Sequence, residues 1–162
     1  MTETRWLNER ESRAWRALTA LRTPLEAAMN RQLSRDSGLS TADYAVLVAL
    51  SEAPCGVLRF REMVHELAWE KSRLSHQIRR MQARGLIAKD SCETDARGAY
   101  LRISPAGLEA IQQAAPGHVD LVRSLVVDLL TPQQLDQLAE IGERIAARLR
   151  SDECEASRDA ND

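Results

Sequence analysis

Between Glu70 and Ile103 the apolar pattern changes period across a single glycine. Before Gly85, Leu74, Ile78 and Met81 recur at i, i+4 and i+7, the spacing of one helix face. After it, Leu86 to Asp90 and Ala99 to Ile103 read as short strands. Leu101 and Ile103 alternate with Tyr100 and Arg102, so the second strand has one wet face. The polar loop Cys92 to Gly98 joins the two strands. A short helix stopped by glycine and followed at once by a hairpin constrains the fold strongly. These are the parts of a winged helix-turn-helix with a two-stranded hairpin wing.

The helix in this stretch has a distinctive outer face. At about 100° per residue, Ser72, His76, Arg79 and Ala83 fall opposite the apolar stripe. Arg73 and Arg80 flank one edge of that face and Ser75 the other. From Lys71 to Lys89 there are six Lys or Arg residues and no carboxylate. The chain as a whole carries a net charge of -2. From Ser151 onward, Asp152, Glu153, Glu155, Asp159 and Asp162 outweigh Arg158 by -4, which leaves the body at +2. Local charge, not the total, sets the field that a phosphate meets. A merely solvated helix face is the plainer reading of the same run.

The rest of the 162 residues is mostly helical in pattern. An N-terminal arm spans 1–36, with Trp15, Leu18, Leu21, Leu25, Met29 and Leu33 at helical spacing. Pro24 predicts either a kink or two abutting helices. Ser40 to Asp43 resembles a capping box ahead of an apolar helix from Tyr44 to Ser51. A very short strand fits Val57 to Phe60. A helix from Arg61 to Trp69 follows, without a good capping residue at its start. The DNA-binding domain so defined spans 40–104, and a C-terminal helical arm spans 105–150. Pro116-Gly117 predicts a break or bend in that arm. Thr131-Pro132-Gln133-Gln134 is a strong helix start. The acidic residues 151–162 read as a disordered tail. The fold class expected is mostly α: a winged helix-turn-helix flanked by N- and C-terminal dimerisation helices. Arms with wide apolar stripes most economically pack on each other and on a second copy. A symmetric dimer sets two recognition helices about 34 Å apart, on successive major-groove faces.

The residue types on the helix suit duplex DNA. Arg can bond guanine twice in the major groove. Ser72 and Ser75, in the first turn, suit phosphate or base-edge bonds, and the helix N-terminus adds its own attraction. His76 and Arg79 lie where base edges should be. Arg73 and Arg80 are placed to grip phosphates, which give affinity rather than sequence choice. In the loop, Asp95 is placed to orient Arg97, a cation suited to a narrow minor groove. Alone, that loop reads equally as a polar turn whose ion pair is worth under about 1 kcal/mol.

Several short motifs now fall in order and register. They are Leu58 to Met63, Ser72-Arg73-Leu74-Ser75-His76, Arg84-Gly85-Leu86-Ile87, Asp95-x-Arg97-Gly98 and Ile103-Ser104-Pro105-Ala106-Gly107. With Ala115 to His118 and Leu130 to Pro132, the set resembles the MarR family of bacterial transcriptional regulators over nearly all of the chain, to about Leu149. The resemblance implies a homodimer knitted by the terminal helices, reading a palindromic operator, usually as a repressor. It also implies a small, often aromatic effector that weakens DNA binding. By position its pocket would be lined by Trp15, Leu18, Tyr44 and Leu47; plain core packing is the alternative for each. Pro24, and Arg61 in place of a Ser-like cap, depart from the family pattern.

Other classes are disfavoured. There is no Ser-His-Asp set, phosphate loop or G-x-G-x-x-G motif, so no enzyme and no cofactor are expected. His65, His76 and His118 are scattered, and Cys55, Cys92 and Cys154 form no C-x-x-C, so no metal is expected either. A redox switch through Cys92 is an alternative, as is a winged helix used for protein contact. The polar N-terminus lacks an apolar signal core, and the chain reads as cytoplasmic.

Overall fold

The computed structural model describes residues 4–91 and 99–159. The chain divides into two units, one through Val119 and one from Asp120. The first begins with helix α1, Glu9–Ser37. Asn8 caps it, its side-chain oxygen accepting from the Glu11 N–H while the Glu11 carboxylate accepts from the Asn8 N–H, each at 2.9 Å. One helix runs through Pro24, so of the two expectations the pair of abutting helices does not form. Proline costs an interior helix a hydrogen bond but not its φ angle. Gly38 ends the helix at φ 66°, a conformation open to glycine.

Helix α2, Thr41–Glu52, starts on the predicted reciprocal box between Ser40 and Asp43. Val46, Leu47 and Leu50 are fully buried. After a tight turn over Pro54–Gly56, strand β1, Val57–Arg59, leads into helix α3, Phe60–Leu67. Where sequence offered no capping residue, the Glu62 carboxylate accepts from the Arg59 N–H at 3.0 Å. Ala68 closes α3 at φ 49°, with the Trp69 N–H reaching back to the Val64 carbonyl. Helix α4, Lys71–Ala83, follows at once.

Strands β2, Ile87–Ser91, and β3, Ala99–Ile103, form the hairpin. The two-stranded hairpin is joined by a third strand: β1 pairs antiparallel with β3, giving the order β1-β3-β2. Leu58 and Lys89 both sit opposite Leu101, which is fully buried. The short strand in the sequence thus finds its partner some forty residues away, a pairing no local pattern encodes.

Helix α5, Pro105–Leu125, is continuous through Pro116, so of the break or bend expected at Pro116-Gly117 the break does not occur. The Ser104 hydroxyl accepts from the Gly107 N–H at 2.9 Å and donates to the Gly85 carbonyl at 2.7 Å. One side chain therefore fixes the head of α5 to the end of α4. In the second unit, a turn over Val127–Leu129 precedes helix α6, Pro132–Asp159. Thr131 and Gln134 cap it reciprocally. It runs past 150, so helical backbone continues into the stretch read as a disordered tail. Among the described residues, no helix is long and apolar enough to cross a membrane.

Gly107 lies so close to β2 that a Cβ there would collide with the Leu86 carbonyl and stand 3.1 Å from the Ile103 side chain. Gly107→Ala should therefore cost about 1–3 kcal/mol of stability, read by urea unfolding at fixed protein concentration. An unchanged midpoint would mean that α5 can shift off the strand freely.

Candidate nucleic-acid interface

Helix α4 buries Leu74, Ile78 and Met81 against the core and turns its other side outward. Ser72, Arg73, His76, Arg79 and Arg80 are exposed and Ser75 is half-buried. The predicted helical contacts thus share one solvent-facing surface. No exposed large apolar side chain of the described residues lies on this helix. Glu70, at the cap position, makes no side-chain bond to the first turn. Asp95 and Arg97, and the cysteine Cys92, lie outside the described residues.

Two further residues set the cations of this surface. Trp69, in the turn before α4, lies under the Arg73 guanidinium at 4.3 Å from the ring centroid. Such a contact is worth about 0.5–1 kcal/mol at an exposed site and narrows the directions the cation can take. Arg84, counted by sequence among the basic residues, is instead engaged by a buried carboxylate. Its Nη1 donates to Asp43 at 2.8 Å and its Nη2 to the Gly38 carbonyl at 2.9 Å. Lys89 sits over the Phe60 ring at 5.8 Å, and Arg59 Nε donates to the Tyr100 hydroxyl at 3.0 Å. The Trp69 contact, the Gln77 bond described next and the Arg84 bonds were all missed from sequence. Only the spacing of Trp69, four residues before Arg73, hinted at any of them.

Asp43 is 2% exposed. It accepts from the Ser40 N–H at 2.9 Å, the Ser40 hydroxyl at 2.8 Å, Gln77 Nε2 at 2.6 Å and Arg84. Burial by itself would raise its pKa; the bonds from Ser40 and the Arg84 charge outweigh that and hold the carboxyl below its usual value.

The residues proposed to line a pocket do not share one environment. Leu47 is core, whereas Trp15 and Leu18 are 58% and 51% exposed. None of the four borders the open groove of about 370 Å³ that Trp69 and Arg73 form with Leu25, Met29 and Thr41. Tyr44 is half-buried and packs on His118, ring centroids 4.4 Å apart. Burial, then the charge of Glu52, raises the Tyr44 pKa, and burial lowers that of His118. Nearby on α1 and α5, Gln32 Oε1 and His118 Nδ1 are buried without a partner among the described residues. No group of three or more His, Cys, Asp or Glu among those residues could hold a metal.

No protein-family model and no curated protein matches the chain. Solved structures do. One is of Sco3205, a MarR family transcriptional regulator from Streptomyces coelicolor, in complex with DNA. It is 39% identical over 89% of this chain and 90% of that one, with a TM-score of 0.85. AbsC, a MarR family transcriptional regulator from the same organism, is 36% identical over 91% and 99%, with a TM-score of 0.86. BpsR of Bordetella bronchiseptica, whose DNA binding is regulated by 6-hydroxynicotinic acid, shares the fold at 21% identity, over 83% and 98%, with a TM-score of 0.71.

The lowered Asp43 pKa carries a sign. A carboxyl with a depressed folded value stabilises fully above its unfolded value, near about 4, and loses that contribution as pH falls through the folded value. Thermal unfolding between about pH 6 and about pH 3 should show acid loss, and Asp43→Asn should lose less over the same window. An identical acid slope in both proteins would show that other carboxylates govern it.

Proposed function

The chain belongs to the MarR family of transcriptional regulators, and from that premise we propose that it is a sequence-specific DNA-binding regulator, not an enzyme, working in the cytoplasm as a homodimeric repressor. The observation that carries this reading is the outer face of α4, where Ser72, Arg73, His76, Arg79 and Arg80 stand clear of the core. His76 and Arg79 read base edges. Arg73 and Arg80, with Ser72 and Ser75, hold phosphates. Arg97, oriented by Asp95, enters the minor groove beside the helix. The 39% identical relative is solved on DNA, which supports this assignment.

The dimer reading rests on apolar surface that each unit leaves uncovered. On α1, Trp15, Leu18 and Leu21 are exposed; on α6, Leu138, Ile141, Ile145 and Leu149 are. Stripes of this kind mark association surfaces. A twofold dimer also makes the operator palindromic.

A small aromatic effector, as the family resemblance implies, is proposed to relieve repression; the DNA binding of BpsR is regulated by 6-hydroxynicotinic acid. The Tyr44–His118 pair beside Gln32 supports this more directly than Trp15, Leu18 or Leu47 does. It offers ring surface next to two unanswered polar atoms. Buried polar atoms ordinarily find a partner.

Selection of bound sites from random duplexes tests the main reading. A palindrome should be enriched; failure to enrich any sequence would favour a winged helix that binds protein. On the enriched site, Arg79→Ala should cost about 1–3 kcal/mol and relax one base position. An equal loss on every sequence would make Arg79 a phosphate contact. Ile141→Glu should shift the sedimenting species from dimer to monomer, and an unchanged dimer would place the interface elsewhere.

A further inference from the structure

The recognition surface of α4 depends on how the helix is rotated, and its apolar stripe does not settle that alone. Burial of Leu74, Ile78 and Met81 is non-directional and tolerates small rotations. Hydrogen bonds are directional. Two of them reach α4 from one carboxylate. Gln77, 6% exposed, donates to Asp43 Oδ1 at 2.6 Å, and Arg84 donates to Oδ2 at 2.8 Å. Gln77 and Arg84 are seven residues apart, about two helical turns. Arg84 also grips the Gly38 carbonyl, and Asp43 is held by Ser40. Gln77 ties the middle of α4 to Asp43, and Arg84, at its C-cap, ties its end to both Asp43 and Gly38, so sliding or turning α4 strains these bonds.

We propose that Asp43 is a positioning residue for DNA reading, acting through Gln77 and Arg84. It sets the rotation of α4 so that His76 and Arg79 meet base edges, and it withdraws Arg84 from the cations that hold phosphate. This rests on the DNA-reading function proposed above. The signature follows from the two kinds of contact. Base-edge bonds need the helix in one setting, whereas phosphate contacts supply affinity without sequence information. Loosening the tether therefore erodes discrimination more than affinity.

The test uses the full chain, binding the selected operator and a random duplex of equal length at several salt concentrations. Arg84 is 41% exposed, so Arg84→Ala removes a tether without opening the core. Operator affinity should fall by about tenfold or more, random-duplex affinity by less than about twofold, and the salt slope should stay the same. Gln77→Ala should move the ratio in the same direction. Arg84→Lys keeps the charge but not the fork that spans Asp43 and Gly38, so it should recover only part of the discrimination.

Equal losses on both duplexes, with a salt slope shallower by about 0.9, would make Arg84 a phosphate contact and overturn the proposal. Unchanged operator-to-random ratios in Arg84→Ala and Gln77→Ala would also overturn it while leaving the function intact. A wild-type chain that does not discriminate between the duplexes would remove the function itself, and the proposal with it.

Discussion

A carboxylate withdrawn from water must be answered by donors, and Asp43 draws its donors from segments far apart in the chain. Its own helix start supplies Ser40, the recognition helix supplies Gln77, and the turn after that helix supplies Arg84. Each donor lost leaves the buried carboxylate less compensated, at a cost above what a surface pair returns. The packing of α2 against α4 is thus held to one geometry by electrostatics as well as by Leu47, Leu50, Leu74 and Ile78, which fill the space around it.

The same network explains where sequence reading succeeded and where it stopped. Signals confined to one turn were legible: the Ser40 and Thr131 boxes, the stripe of Leu74, Ile78 and Met81, and the alternation around Leu101. So was the exposed face of α4, because helical geometry maps residue number directly onto direction. Signals that depend on distant partners were not legible. Arg84 reads as one more cation until Asp43 is placed beside it, and β1 is an isolated triplet until β3 arrives. Pro24 and Pro116 invite a kink, bend or break because their local cost is plain, yet each lies within one continuous helix. The pocket residues were the least legible: Leu47 obeys the helical pattern equally well as core or as lining, and it is fully buried.

Charge is likewise redistributed by folding. The basic run between Lys71 and Lys89 loses Arg84 to an internal carboxylate, and Lys89 lies over an aromatic ring. What stands outward is smaller and better ordered than the count of cations suggests. Arg73 rests on Trp69, so part of the entropy that a long cation gives up on binding has already been surrendered in the free protein.

Helix α1 keeps its course through Pro24, yet the amide that would close the ladder at that point is missing. Its two buried residues, Gln32 and Leu33, both lie beyond the proline. The half before Pro24 draws little from the core of its own unit, and its large apolar side chains face outward. The helix is therefore one element in shape but two in cooperativity. Its C-terminal half exchanges amide hydrogens with the global stability of the domain. Its N-terminal half opens on a free energy set by whatever covers Trp15, Leu18 and Leu21; if that cover is the proposed second copy, its protection follows protein concentration rather than the fold.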